Sequence, residues 1–259
     1  MLYVVTAVHN RKNITNAFIE RLLKQSYKNW RLLIIDDGST DGTSEMILDL
    51  LPDANIIKGN GNLWWGGALQ KAYQWLVANA TDEDLVYTCN DDIIIPEDFL
   101  KHGVKLVNEY PNSMVTGTGY SVQTGIRGDG AIKIDFATGK EERLDVNSVG
   151  NAGTTRSLFF TVRMMKKIGG FHPVLLPHYW SDLEYVIRAA KKGFPVRSFD
   201  NLVYQYDETS TGIKKKSLKT MFSKRSVYNP AYYFNYLIMT TPIKYLPGRL
   251  MMRIKKRKQ

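Results

Sequence analysis

Short apolar runs alternate with amphipathic stretches through the first half of the chain. Leu2 to Ala7, Arg31 to Ile35, Ala54 to Ile57, Leu85 to Cys89 and Met114 to Thr116 have the length and the apolar, β-branched character of buried strands. Between them, apolar positions recur at three- and four-residue spacing: Ile14, Phe18, Leu22 and Leu23; Met46, Ile47, Leu50 and Leu51; Ala68, Ala72, Trp75 and Leu76; Phe99, Val104 and Val107. Each set predicts a helix with one apolar face. Strand and helix in alternation predict an α/β fold with a mainly parallel central sheet covered on both sides. No internal repeat interrupts the pattern.

From about Gly117 the texture changes. "TGTGYSVQTGIRGDG" and "VGNAGTTRS" read as loops, "SLFFTVR" as a strand, and Ser181 to Lys192 as a helix ended by Gly193. Ser181 and Glu184 have the S-x-x-E spacing of a capping box. No linker separates the halves, so residues 1–117 and 118–212 are expected to form one domain, followed by a distinct segment over 213–259.

Charge sharpens that division. The chain of 259 residues has 35 Lys and Arg against 25 Asp and Glu, yet residues 209–259 hold 13 of the basic residues and no acid. The first 208 residues are therefore slightly acidic, and the whole positive excess lies in the tail. A nucleic-acid enzyme spreads basic residues around its cleft, whereas a basic, aromatic terminus suits an anionic membrane surface. In "YLPGRLMMRIKKRKQ", Leu250, Met251 and Ile254 are expected to share a helical face opposite Arg249, Arg253 and Lys256. The opening "MLYVVTAVHN" predicts no secretory leader, no apolar run approaches the ~20 residues of a membrane span, and the single cysteine, Cys89, fits a reducing compartment. The expected location is cytoplasmic, peripheral at the inner face of the cell membrane.

Polar clusters interrupt the pattern at three strand ends: "VHNR" (Val8 to Arg11), "DDGSTDGT" (Asp36 to Thr43) and "NDD" (Asn90 to Asp92). Each alone is what a turn contains. Together they mark a site, because open α/β sheets bind ligands beyond the carboxyl ends of their strands. Asp91 and Asp92, adjacent at a strand end, repel each other unless a cation or donor neutralises them. Mg²⁺ or Mn²⁺ shared with substrate phosphates is the natural answer. Pro96, Glu97 and Asp98 then read as the start of the next helix. Other chemistries lack their motifs: there is no G-x-x-x-x-G-K-[ST] loop, "GNGNLWWGG" fails G-x-G-x-x-G at Trp64, the four histidines have no zinc spacing, and G-x-S-x-G is absent.

The order of "VTAVHNR", "QSYKNWRLLIIDDGSTDGT", "GNGNLWWGGALQKAY", "NDD" and "GGFHPVLLPHYWSDLEYVIRAAKKG" resembles glycosyltransferase family 2, whose members have the GT-A fold; the resemblance covers residues 2 to about 212. "GNLWWGGA" is most similar to bacterial enzymes that build surface polysaccharides, including rhamnosyltransferase-like members. The resemblance implies a nucleotide-sugar-binding half over 1–117 and an acceptor and catalytic-base half over 118–212. It implies base and ribose contacts from Thr6, Val8, Asn10, Asp36 and Asp37, and passage of the nucleotide sugar by Asn62, Gly66 and Gly67. It also implies a divalent ion at Asp92, supported by Asp91, and a catalytic base at Asp182 in "YWSDLEY". Trp65, His178, Trp180, Ser181 and Glu184 are the candidate substrate and acceptor contacts. The helix-dipole role of an acid in a first turn remains open for Glu184, and Trp64, Trp65 and Trp180 read equally as core residues or as sugar-packing walls.

Two departures from the family pattern bear on the site. Asn90 stands where many members have the first acid of D-x-D, and "VYQYDETSTG" offers Tyr206 or Asp207 where a later His is common. The expected activity is inverting transfer from a UDP- or dTDP-sugar to a lipid-linked or polysaccharide acceptor, with no nucleic-acid partner and a possible homodimer. Two competing readings make different predictions. A nucleotidyltransferase needs a Gly-rich first loop with a basic clamp, and "AVHNRKN" has no glycine. A nucleic-acid-binding protein using the basic tail would keep salt-sensitive binding without Asp92 or Asp182.

Overall fold

The computed structural model describes residues 1–210, 222–224 and 226–256, without side chains at 210 and 252–256. Eleven strands and eight α-helices are assigned among them. In chain order they are β1 (Leu2–Val8), α1 (Lys12–Leu23), β2 (Trp30–Asp36), α2 (Thr43–Leu50), β3 (Asn55–Lys58), α3 (Trp64–Asn79), β4 (Leu85–Cys89), β5 (Ile93–Ile94) and α4 (Phe99–Glu109). There follow β6 (Met114–Ser121), β7 (Ile132–Ile134), β8 (Glu141–Arg143), β9 (Val149–Gly150), β10 (Ser157–Thr161), α5 (Val162–Ile168), α6 (Ser181–Lys191), β11 (Val196–Tyr206), α7 (Pro230–Thr240) and α8 (Leu246–Lys256).

The central sheet runs β3-β2-β1-β4-β10-β6-β11-β5, with β9 beside β11; β7 and β8 form a separate hairpin. β1, β2, β3 and β4 are mutually parallel, β10 is antiparallel to both β4 and β6, and β6 is parallel to β11. The carboxyl ends of β1, β2, β4, β6 and β11 therefore share one edge, and the reversal of β10 brings its amino end there too.

Alternate residues of each strand feed two cores, as period-two side-chain placement requires. Leu2 and Val4 face Phe18, Ile19 and Leu22 of α1 and Phe99 of α4, whereas Tyr3 and Val5 face Leu69, Ala72 and Leu76 of α3 and Tyr185 of α6. A third cluster joins Tyr236 and Leu237 of α7 to Ile187 of α6 and Leu176 of the preceding loop.

Several sequence expectations need correction. Thr116 to Ser121 is strand, not loop: Gly117 and Gly119 lie under the Tyr204 side chain, where a Cβ would sit 2.8 and 2.6 Å from ring carbons, so a Gly-rich segment forms a buried strand. Helix α1 buries Thr15, Phe18, Ile19 and Leu22 and leaves Ile14 and Leu23 exposed, a one-position rotation of the expected face. Helix α4 begins at Phe99, its N–H bonded to Pro96 O. The capping box does not form: Ser181 Oγ donates to His178 O, Glu184 takes Arg188, and Trp180 occupies the cap position with φ of 72°. In α8, Arg249 is buried against Gly139 instead of facing solvent, Leu250 packs on the third cluster and Met251 is exposed. The side chains of Arg253, Ile254 and Lys256 lie outside the described residues. Among those residues, no helix is long and apolar enough to cross a membrane.

Candidate active site

The strand order changes direction at β1, which has β2 on one side and β4 on the other. A crevice opens at that switch point, as it does in open α/β sheets generally. Its floor is the turn after β1. Asn10, with φ of 51°, accepts from Thr40 N at 2.8 Å, and its own N–H donates to Ser39 Oγ at 2.9 Å, folding the β1 turn onto the β2 turn.

Arg11 follows, and its Nη2 lies 3.2 Å from Asp91 Oδ1 and 3.3 Å from Asp92 Oδ2. One helical turn later, Thr15 Oγ1 donates to Asp91 Oδ2 at 2.9 Å. Asp91 is 2% exposed, and burial pushes its carboxyl up to about 6 against the opposing pull of Arg11 and Thr15. The two carboxylates thus converge on one cation position, which a guanidinium nitrogen takes. Their hard oxygens fit Mg²⁺ or Mn²⁺, ions that bind through one or two carboxylates and complete their shell with phosphate and water. Among the described residues no third acid, His or Cys joins them.

A cavity of about 370 Å³ is lined by Val8, Asp37, Trp64, Trp65, Asn90, Asp91 and His178, among others. It adjoins a second, of about 580 Å³, lined by Asp129, Glu141, Arg143, Trp180 and Tyr206. Thr154, Arg156, Tyr179 and Asp182 border both.

Asp182 is therefore in the wall common to the two cavities. It stands in the first turn of α6, its Oδ1 accepting from Leu183 N at 2.8 Å. Burial pushes its pKa up, opposed by that N–H and by the Arg156 charge, and Asp129 adds to the upward push. The start of α6 is fixed from outside, where the Trp180 ring stacks on Tyr236 of α7 at 4.9 Å and meets Tyr233 at 5.3 Å. Positive φ is rare for a bulky residue and is held only where surrounding contacts over-determine it. Trp64 (57°) and Trp180 both adopt it, one at each cavity.

Other predicted residues have structural duties. Asp36 is fully buried; its burial opposes ionisation, but Lys58 at 2.8 Å, Ser39 N and Ser44 Oγ outweigh that and lower its carboxyl to about 2. It anchors β2 to α2 and β3. Asp37 lines the first cavity and accepts from the N–H groups of Gly61, Leu63 and Trp64 at 2.8 to 3.1 Å, capping α3 from the turn after β2. His9 Nδ1–H donates to the Asp37 carbonyl at 2.6 Å.

Gly66 and Gly67 do not line either cavity. The Gly66 N–H donates to Pro177 O at 2.9 Å, and a Cβ there would lie 2.5 Å from Leu176 O; a Cβ on Gly67 would meet Leu63 at 3.2 Å. The pair lets α3 approach the loop that carries His178 to Trp180 and leads into α6. Asn62 is exposed, Thr6 is buried with a hydroxyl that has no partner among the described residues, and Trp65 Nε1 donates to Thr155 Oγ1 at 2.9 Å. His178 lies 5.8 Å from the Trp64 ring. Ser181 and Glu184 are buried in the helix: Glu184 pairs with Arg188 at 2.7 and 3.0 Å, and Arg188 also binds Ile168 O and Gly170 O. Tyr206 lines the second cavity, whereas Asp207 is half-buried outside both cavity linings and accepts from Thr209 and Gln123.

The sequence reading missed Arg156 and Asp129. Arg156 Nη1 donates to Asp129 Oδ2 at 2.7 Å, its guanidinium lies 4.4 Å from the Tyr206 ring centre, and Tyr204 Oη donates to Asp129 Oδ2 at 2.7 Å. A signal existed. Arg156 directly precedes the buried strand β10, and a charge there requires an ion partner nearby.

The crevice lies beyond the carboxyl ends of β1, β2 and β4 of an open α/β sheet, and known proteins share that fold. A mannosyltransferase from Pyrobaculum calidifontis, solved with GDP-Man and Mn²⁺, superposes with a TM-score of 0.61 at 16% identity, over 95% of this chain and 67% of that one. The fold is that of GT-A glycosyltransferases. The family model for glycosyl transferase family 2 matches residues 3–168, and the chain belongs to that family. The putative glycosyltransferase EpsE of Bacillus subtilis is 23% identical over 220 residues, 83% of this chain and 75% of that protein. WfaP of Escherichia coli, a UDP-Glc:α-D-GlcNAc-diphosphoundecaprenol β-1,3-glucosyltransferase, is 35% identical over 68 residues, 26% of this chain and 27% of its own length.

Proposed function

We propose that the protein is an inverting glycosyltransferase. It moves a sugar from a UDP- or dTDP-sugar to a hydroxyl of a lipid-linked or polysaccharide acceptor, in the synthesis of a bacterial surface glycan. The observation that carries this reading is the place of Asp182 between two adjoining cavities. The donor takes the cavity bounded by the β1, β2 and β4 ends, and the acceptor takes the one bounded by Tyr206, Trp180 and Arg143. The acceptor hydroxyl attacks the anomeric carbon as the bond from that carbon to the diphosphate oxygen breaks. Its proton passes to Asp182, whose raised pKa suits a general base. Attack from the face opposite the leaving group inverts the anomeric configuration.

Asp92 and Asp91 would hold Mg²⁺ or Mn²⁺, which supplies Lewis-acid stabilisation of the departing diphosphate. Asp37 fixes the Gly61 to Trp64 turn beside the donor, and the rings of Trp64, Trp65 and Tyr179 offer apolar faces to sugar C–H surfaces. WfaP acts on a diphosphoundecaprenol-linked sugar. A lipid-linked acceptor and the acid-free, basic segment 209–259 together support action at the inner membrane face.

The test is nucleoside diphosphate release from a panel of UDP-, dTDP- and GDP-sugars with Mn²⁺, Mg²⁺ or EDTA. The reading expects release from one donor in the presence of metal. Its loss would follow from no release with any donor combined with no thermal stabilisation by any nucleoside diphosphate.

A further inference from the structure

We propose that Arg11 is a built-in cation that holds the Asp91–Asp92 pair in the free enzyme and must yield it before a divalent ion can bind, the donor diphosphate then becoming its partner. The inference rests on the proposed metal role of the acid pair and adds a competitor inside the chain.

The geometry gives the reason. A single nitrogen, Arg11 Nη2, sits between Asp91 Oδ1 at 3.2 Å and Asp92 Oδ2 at 3.3 Å, the point on which both carboxylates converge. A guanidinium and a metal ion cannot share that point. Arg11 is also poorly placed for anything else. It lies at the amino end of α1, where the helix dipole disfavours a cation, and α1 has no acid in its first turn. Its Nε–H is buried and has no acceptor among the described residues. It therefore holds the acids while keeping one donor unsatisfied, and it lines the donor cavity, where a diphosphate would satisfy that donor.

Two consequences follow. Metal alone must displace an ion pair whose acids have side-chain exposures of only 3% and 6%, so it binds weakly. Nucleoside diphosphate draws Arg11 to its phosphates and releases the acids, so metal and nucleotide bind cooperatively, and by linkage each strengthens the other equally.

The experiment measures Mn²⁺ affinity from the electron paramagnetic resonance signal of the free ion. It uses the full chain as wild type, Arg11→Gln and Arg11→Lys, each alone and with UDP or dTDP. Arg11→Gln is expected to bind Mn²⁺ alone roughly tenfold more tightly than wild type and to lose most of the nucleotide-induced gain, with Arg11→Lys close to wild type. Should Arg11→Gln not fold, the charge-balanced pair Arg11→Gln/Asp91→Asn and Asp91→Asn gives the same ordering. Equal Mn²⁺ affinity in wild type and Arg11→Gln overturns the proposal while leaving the metal site standing. Mn²⁺ binding to none of the proteins, even with UDP or dTDP, overturns the proposal and the metal reading together.

Discussion

Arg156 and Asp129 form a 2.7 Å ion pair beside the wall that separates the two cavities. Asp129 is buried and also holds the Tyr204 hydroxyl, so removal of Arg156 leaves a carboxylate with a neutral donor only. Arg156→Ala is expected to destabilise the protein by about 2–3 kcal/mol, less than for a fully enclosed pair because the Arg156 side chain keeps 28% exposure. Arg156→Lys should recover part of that loss. Denaturant unfolding of the three proteins measures it.

Asp36 supplies an acid-side stability term. Its carboxyl titrates at about 2 in the folded protein against an ordinary 3.8. The contribution is therefore present above the unfolded value and is lost as pH falls toward 2. Lys58→Met should lower stability near neutrality by about 1–2 kcal/mol, a discounted figure because Lys58 is largely exposed. The gap between variant and wild type should close as pH drops from about 5 to 2, as read from denaturation midpoints across that range.

Gly66 packs the start of α3 against the loop that leads into α6 and the proposed base, Asp182. A methyl group there would lie 2.5 Å from the Leu176 carbonyl and 3.0 Å from that of Pro177, so the loop must move. Gly66→Ala is expected to cost about 1–3 kcal/mol in stability and to lower turnover more than donor affinity, because the loop leads directly into the first turn of α6, where Asp182 stands. Gly193→Ala, at a positive-φ turn that lines neither cavity, serves as a comparison that lowers stability without that selective loss of turnover.

Much of the first half of the chain was legible because its signals are local. β4 is a wholly buried run with the bounds the sequence predicts, and the polar clusters after β1, β2 and β4 do meet at one sheet edge. What was hidden depends on contacts distant in sequence. Gly117 and Gly119 form strand only because Tyr204, some 85 residues on, covers them. Asp36 and Asp37 look alike in "DDGST", yet one is locked to Lys58 and the other caps α3. Ser181 and Glu184 have capping-box spacing, but Arg188 is one helical turn away and captures the acid. Arg156 carried no motif, and its importance comes from β10 reversing direction so that its amino end joins the carboxyl ends of its neighbours.

The acid limb of turnover tests the environment of Asp182. Burial raises its pKa and the charge of Asp129 adds to the rise, so half-maximal kcat on the acid side should lie above the ordinary carboxylate value of 3.8. A general base loses activity as pH falls through its pKa. Asp129→Asn should move that limb to lower pH, as a kcat–pH profile would show.

The central claim is that Asp182 takes the acceptor proton at the boundary of donor and acceptor cavities. Its most direct measurement is Asp182→Asn, with acceptor-dependent turnover and nucleoside diphosphate affinity determined on the same preparation. The account predicts turnover lower by about 10²- to 10⁴-fold with nucleotide affinity within about twofold of wild type. Turnover equal to wild type in Asp182→Asn would contradict it.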